Sequence, residues 1–168
     1  MNPAINKHNT GGFFLIQPIG ENPIFTREQF SDEHREIKQM VREFAGERIL
    51  ENKKEIEKFN KDLSLSLIRE VGELGLLGID IPEEYGGMEL DKITTAIVAE
   101  SFMAGECASF MVTWSVQTGI GSLPIVWFGT PEQKKKYLPK LVTGEWIGAY
   151  GLTEPSAGSD ALSGKTRA

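Results

Sequence analysis

The sequence predicts a mainly α chain, a helical bundle that runs into the first strand of a β domain. Apolar residues recur at helical spacing through residues 32–142, and the segments open on residues suited to capping. Beyond Gly144 the composition shifts to β-formers and small residues. With 168 residues of which 40% are hydrophobic, the chain can fill one ordinary core, which excludes global disorder.

Residues 1–25 carry Pro3, Gly11, Gly12, Pro18, Gly20 and Pro23 around one apolar patch, Phe13-Phe14-Leu15-Ile16. This is an arm, ordered only where that patch docks. The helical domain spans 26–144. Thr26 with Gln29 fits a capping box, and Ser31 is a second candidate cap for the helix that follows. Ile37, Val41, Phe44, Ala45 and Ile49 then mark one amphipathic helix from Asp32 to the low fifties. The charged stretch 51–61 is its exposed continuation or a loop. A second helix carries Leu63, Leu67, Ile68, Val71 and Leu74, and Gly75 closes it.

Pro82 and Gly86-Gly87 impose a loop after it. Asp91 caps a third helix through Ile93, Ala96, Ile97 and Phe102. Residues 109–118 form a fourth, apolar nearly all round and therefore expected to be the most buried. Thr130-Pro131-Glu132-Gln133 starts a fifth, carrying Tyr137, Leu138 and Leu141 and ended or kinked by Pro139. Trp114, Trp127, Phe110 and Phe128 are assigned to the core. Residues 146–153 read as a strand that opens a β domain over 145–168. A lone strand leaves its backbone groups unpaired, so the expectation is a piece of something larger or a chain that pairs with another.

Several function classes are excluded by composition. The net charge is −6 and no block of five like charges occurs, so there is no nucleic-acid footprint. Lys134, Lys135 and Lys136 fan around a helix as a solvated face. Cys107, the single cysteine, has no basic neighbour in sequence and reads as a buried, inert thiol. With His8 and His34 it lacks the spacing of a metal site. The charge-free run 107–131 is long enough for a bilayer, but Gly119, Gly121, Pro124 and six polar residues interrupt it, so no transmembrane segment is expected. No basic stretch followed by an apolar run opens the chain, and a cytoplasmic location is the expectation.

The chemistry is concentrated in Tyr150-Gly151-Leu152-Thr153-Glu154-Pro155-Ser156-Ala157-Gly158-Ser159-Asp160. Physically, a strand meets a proline that ends its ladder, then a Ser/Gly/Ser turn that exposes consecutive N–H groups able to hold a phosphate or a flavin edge. By itself the turn also suits any surface loop.

The run Gly151-Leu152-Thr153-Glu154-Pro155-x-x-Gly158-Ser159-Asp160 resembles the first signature of the acyl-CoA dehydrogenase family. Residues 76–87, Leu123-Pro124 with Phe128-Gly129-Thr130, and Gln133-Lys134 leading to Tyr137-Leu138-Pro139 are similar to the same family, so that the likeness covers residues 25–168. The arm with Gly11-Gly12-x-Phe14-Leu15-Ile16 resembles the very-long-chain branch. The resemblance implies that the bundle is the family's N-terminal domain and that the full protein is an FAD enzyme converting fatty acyl-CoA thioesters to trans-2-enoyl-CoA, a step of fatty acid β-oxidation. It further implies an electron-transfer flavoprotein as acceptor and a homo-oligomer. Tyr150, Leu152, Thr153, Gly158 and Ser159 would contact FAD, Thr153 at the pyrimidine edge, and Ser159 would also touch the acyl-CoA. A hydroxyl and an N–H at Thr153 suit the negative charge that reduced flavin carries near N1. Ser156 stands where many members have glycine.

The same resemblance places the catalytic base, a glutamate, in a C-terminal helical domain beyond Ala168, so no catalytic residue is assigned here. Glu154 orders the turn, and Glu83, Glu84 and Glu100 are surface or helix-contact residues. Ser163-Gly164-Lys165-Thr166 fails as a phosphate loop, because Gly158 is one place too far from Gly164. The alternative from another class is a non-catalytic helical interaction module on the same scaffold, and the sequence beyond Ala168 discriminates the two. Acyl chain length is not legible.

Overall fold

The computed structural model describes residues 26–167. The arm and its Phe13-Phe14-Leu15-Ile16 patch lie outside the described residues. Contacts divide the chain into two units, residues 1–35 and 36–168.

In the first unit the Thr26 N–H donates to Gln29 Oε1 at 2.8 Å over a 3-10 turn, Arg27–Gln29. The helix itself starts from the other candidate cap. Ser31 Oγ accepts from the His34 N–H at 3.1 Å, and the Ser31 N–H donates back to His34 Nδ1 at 3.2 Å. That reciprocal pair satisfies amide groups that a helix start leaves free.

The helices are α1 (Asp32–Phe44), α2 (Lys53–Glu57), α3 (Lys61–Glu73), α4 (Lys92–Phe102), α5 (Ala108–Thr118), α6 (Leu123–Phe128) and α7 (Pro131–Val142). The expected long first helix runs unbroken from Asp32 to Leu50, changing its winding on the way. After α1 the chain widens into a π-helical turn, Ala45–Leu50, and restarts as α2. Ala45 and Ile49 are fully buried there, and Gly105 makes the fit possible, since a Cβ at that glycine would lie 2.7 Å from Ile49 Cγ2. Within 51–61, Asn60 caps α3 by accepting from the Leu63 N–H. Gly75 ends that helix at φ +78°, the left-handed conformation glycine tolerates.

Val41, Ala45, Ile49, Ile56, Leu67, Ile68, Val71, Val98, Phe102, Phe110 and Trp114 form one core with Leu76, Leu77 and Ile79. The loop after α3 belongs to that core through its backbone. Met88 N–H donates to Gly78 O at 2.8 Å, Leu90 N–H to Ile79 O at 2.8 Å, and Trp114 Nε1 to Leu76 O at 2.9 Å. Gly87 is wedged in, because a Cβ there would sit 1.9 Å from Ile81 O. Asp91 caps α4, accepting from the Thr94 N–H at 2.7 Å. Cys107 is buried.

Helix α5 corrects the expectation that it would be the most buried, since it has four buried residues where α4, of equal length, has five. Phe110, Trp114, Gln117 and Thr118 are buried, but Val112 is 60% exposed and Ser109, Thr113 and Ser115 face outward. Composition alone sets that expectation, and apolar residues on the open side carry no mark that distinguishes them. Trp127 and Phe128, assigned to the core, are 60% and 83% exposed on α6. That helix is too short to turn every apolar side chain inward. A second, smaller cluster of Ile81, Leu138, Leu141 and Val142 joins α7 to the loop at residues 81–85, with Ile125 and Val126 of α6 against it.

Helix α7 opens on the expected capping box, with Gln133 N–H to Thr130 Oγ1 and Thr130 N–H to Gln133 Oε1. It runs through Pro139 to Val142, so the proline does not end it. Pro139 and Lys135, whose carbonyl has no N–H four residues on, are both exposed, so the missing bond falls on the solvent side of the helix. Residues 146–153 do not form the expected strand. Among the described residues no strand partner exists, and a ladder needs two sides.

Candidate functional site

The segment 146–166 leaves α7 through a dense junction. The N–H of Trp146 donates to Lys140 O at 3.0 Å, and the indole packs against Tyr137 with ring centres 5.8 Å apart. Lys140 Nζ lies 4.5 Å from the indole centre and pairs with Glu145 at 2.8 Å. Beneath this, Gln117 of α5 is fully buried. Its Nε2 donates to Leu141 O at 2.8 Å and Trp146 O at 3.1 Å, and its Oε1 accepts from the Gly148 N–H at 2.5 Å. Reading the sequence alone misses this residue. Its one signal is a glutamine inside the charge-free run 107–131, where a buried amide must find partners.

After Gly148 the chain is exposed. Residues 149–153 make no backbone hydrogen bond among the described residues, on either N–H or C=O. Tyr150 is 53% and Leu152 47% exposed, and Thr153, Gly158 and Ser159 are exposed as well. A Cβ at Gly151 or Gly158 would meet nothing within 4 Å. The five predicted contact residues are thus all exposed, Tyr150, Leu152 and Thr153 before the Glu154–Ala157 turn and Gly158 and Ser159 after it, and among the described residues nothing closes over them.

The turn at Pro155 is built by Glu154. Its N–H and C=O exchange hydrogen bonds with Ala157, each at 3.1 Å, and Ala157 is buried. Its carboxylate accepts from the Lys165 N–H at 2.8 Å and the Thr166 N–H at 2.9 Å, drawing the ends of residues 154–166 together. Those donors, first the Lys165 amide and then Thr166, hold the Glu154 carboxyl below the usual glutamate range. An acid so engaged is a poor proton acceptor. Those two amides are also the ones a phosphate-loop reading would have needed. Among the described residues no cluster of acids, histidines or cysteine could hold a metal, and no helix is long and apolar enough to cross a membrane.

The acyl-CoA dehydrogenase N-terminal domain family matches residues 31–145. The chain belongs to the acyl-CoA dehydrogenase family. A probable acyl-CoA dehydrogenase of Bacillus subtilis is 48% identical over 158 residues, which is 94% of this chain and 26% of that protein. The crystal structure of an acyl-CoA dehydrogenase complexed with FAD from Bacillus anthracis is 51% identical with a TM-score of 0.84, covering 92% of this chain and 26% of the other. Glutaryl-CoA dehydrogenase from Mycobacterium smegmatis is 33% identical with a TM-score of 0.75, over 83% of this chain and 36% of its own. The chain spans about a quarter of the length of these two Bacillus proteins. The helical bundle expected from the caps and spacing is therefore the family's N-terminal domain.

Proposed function

We propose that this chain is the N-terminal part of an FAD enzyme that removes two hydrogens from the α and β carbons of fatty acyl-CoA thioesters. The observation that carries the reading is the open stretch 149–153, whose backbone donors and Thr153 hydroxyl are free among the described residues and which starts from the bond of the Gly148 N–H to Gln117. Such an edge fits the flat, polar rim of a flavin, and the glycines at 151 and 158 leave room for its approach. FAD, when bound, supplies the acceptor for the β hydride.

The residues of this chain bind and orient. Tyr150 and Leu152 give apolar contact beside the ring, Thr153 donates to the pyrimidine edge, and Gly158 and Ser159 complete the turn, with Ser159 reaching the acyl-CoA as well. None of the acids described here is offered as the base. Glu154 is occupied, and Glu83, Glu84 and Glu100 are exposed without any part of this edge beside them. The base and the walls that close the cleft belong to the remaining three quarters of the length seen in the relatives. Domain limits of 26–144 for the helical part and 145–168 for the start of the flavin-binding part belong to the same proposal, and α7 ending at Val142 supports them. An electron-transfer flavoprotein as acceptor, a homo-oligomeric assembly and a cytoplasmic location complete the proposal.

The test is product analysis. The full-length protein incubated with saturated acyl-CoA thioesters of graded length and an artificial electron acceptor should yield trans-2-enoyl-CoA, two mass units lighter than the substrate. Unchanged thioester at every length would refute the reading.

A further inference from the structure

We propose that Gln117 is the positioning residue of the flavin-binding edge, holding the segment 149–153 on the line that brings Thr153 to the cofactor. This rests on the functional reading above and deepens it. The side-chain amide is fully buried and all of its bonds go to backbone: the carbonyls of Leu141 and Trp146 and the N–H of Gly148. One planar group therefore joins the last turn of α7 to both sides of Ile147. Downstream, no backbone hydrogen bond holds residues 149–153 among the described residues, so the direction of that stretch is set where it leaves Gly148.

The lever is long. Five residues from Gly148 to Thr153 reach up to ~17 Å, and a change of about 10° at the origin would move the far end by about 3 Å, a full hydrogen-bond length. Gln117 is itself fixed from below. Its carbonyl accepts from the buried Ser122 hydroxyl at 2.5 Å, and Gly121 lies so near Gly148 that a Cβ on either would stand 3.1 Å from the other's Cα. A side chain kept only for packing would not need three backbone partners in a buried site, since an apolar residue of the same volume would pack without them.

The experiment is a double-mutant cycle on the full-length protein. Gln117→Met keeps the length and removes all three bonds, and Thr153→Ala removes the proposed flavin contact. Gln117→Met should weaken FAD binding about tenfold and shift the bound-flavin absorbance, and Thr153→Ala should weaken it about fivefold. The double variant should lose no more than Gln117→Met alone, because a displaced Thr153 contributes nothing. Val41→Ala, which opens the core at α1, should lower the melting temperature without changing the flavin spectrum. Additive losses, or an unchanged spectrum in Gln117→Met, would overturn the proposal. If that variant fails to fold, amide exchange of the wild type decides: a protected Gly148 N–H is expected, and rapid exchange there would overturn it. Wild-type protein that holds no flavin would contradict the functional reading, while the Gly148 amide would still report whether Gln117 holds the segment.

Discussion

Gly121 and Gly148 meet backbone to backbone, and a Cβ on either residue would lie 3.1 Å from the Cα of the other. The first belongs to the link between α5 and α6, the second to the segment leaving α7, so this contact sets how closely the start of the open stretch 149–153 lies against the bundle. At Gly121 a methyl group would also press to 2.8 Å from Val116 O, whereas at Gly148 its next neighbour, Gln117 Oε1, is 3.3 Å away. Gly121→Ala should therefore destabilise by about 2 kcal/mol and Gly148→Ala by less, as overpacking does. Urea midpoints of the two variants give the order, and an equal or reversed order would show that the approach is not tight.

Thr153→Ala separates binding from folding. The side chain is exposed and bonded to nothing among the described residues, so the melting temperature should not move. Loss of one neutral hydrogen bond to the cofactor, about 1 kcal/mol, should weaken FAD roughly fivefold in the full-length protein.

Glu154 makes the loop sensitive to acid. Its carboxyl titrates below the ordinary glutamate value because two amides favour the charged form. The bonds are thus fully present above the unfolded value and are lost as pH falls through the lowered one. Protection factors at the Lys165 and Thr166 amides should hold from neutral pH down to the usual glutamate range and collapse below it. Glu154→Gln, with a single acceptor oxygen, should release one of the two amides at every pH.

Two adjacent glycines predict unequal costs. A methyl group at Gly87 would stand 1.9 Å from Ile81 O, so its replacement by alanine should cost about 3 kcal/mol or more, since backbone must move. Gly86 has φ +85° and open space around it, so alanine there should cost about 1 kcal/mol of backbone strain. Denaturant unfolding of both variants checks the ratio.

What the sequence makes legible is the part governed by local rules. Thr130 with Gln133, Asp91 and Gly75 each act on their own helix, and each stands where its residue type suggests. Asn60 follows the same rule but is hidden in a charged stretch. The π-helical turn at residues 45–50 has no periodic signature of its own, and the glycine that packs against it, Gly105, lies in a distant turn. The outward faces of Val112, Trp127 and Phe128 escape sequence reading because burial depends on what covers a residue, which periodicity does not encode. The strand expected at residues 146–153 fails for the related reason that its ladder requires a second strand. At the candidate site, the motif points to the stretch around Thr153, whereas Gln117, on α5, emerges only from the tertiary hydrogen bonds.

The visible spectrum of the full-length protein tests most directly whether this chain forms one wall of a flavin site that oxidises acyl-CoA. The protein should carry flavin absorbance through gel filtration, and anaerobic addition of its acyl-CoA substrate should bleach that absorbance stoichiometrically, while the 168-residue chain alone, given FAD and the same thioester, should leave it unchanged. A full-length protein that stays colourless after incubation with FAD, or whose flavin no acyl-CoA reduces, would contradict the account.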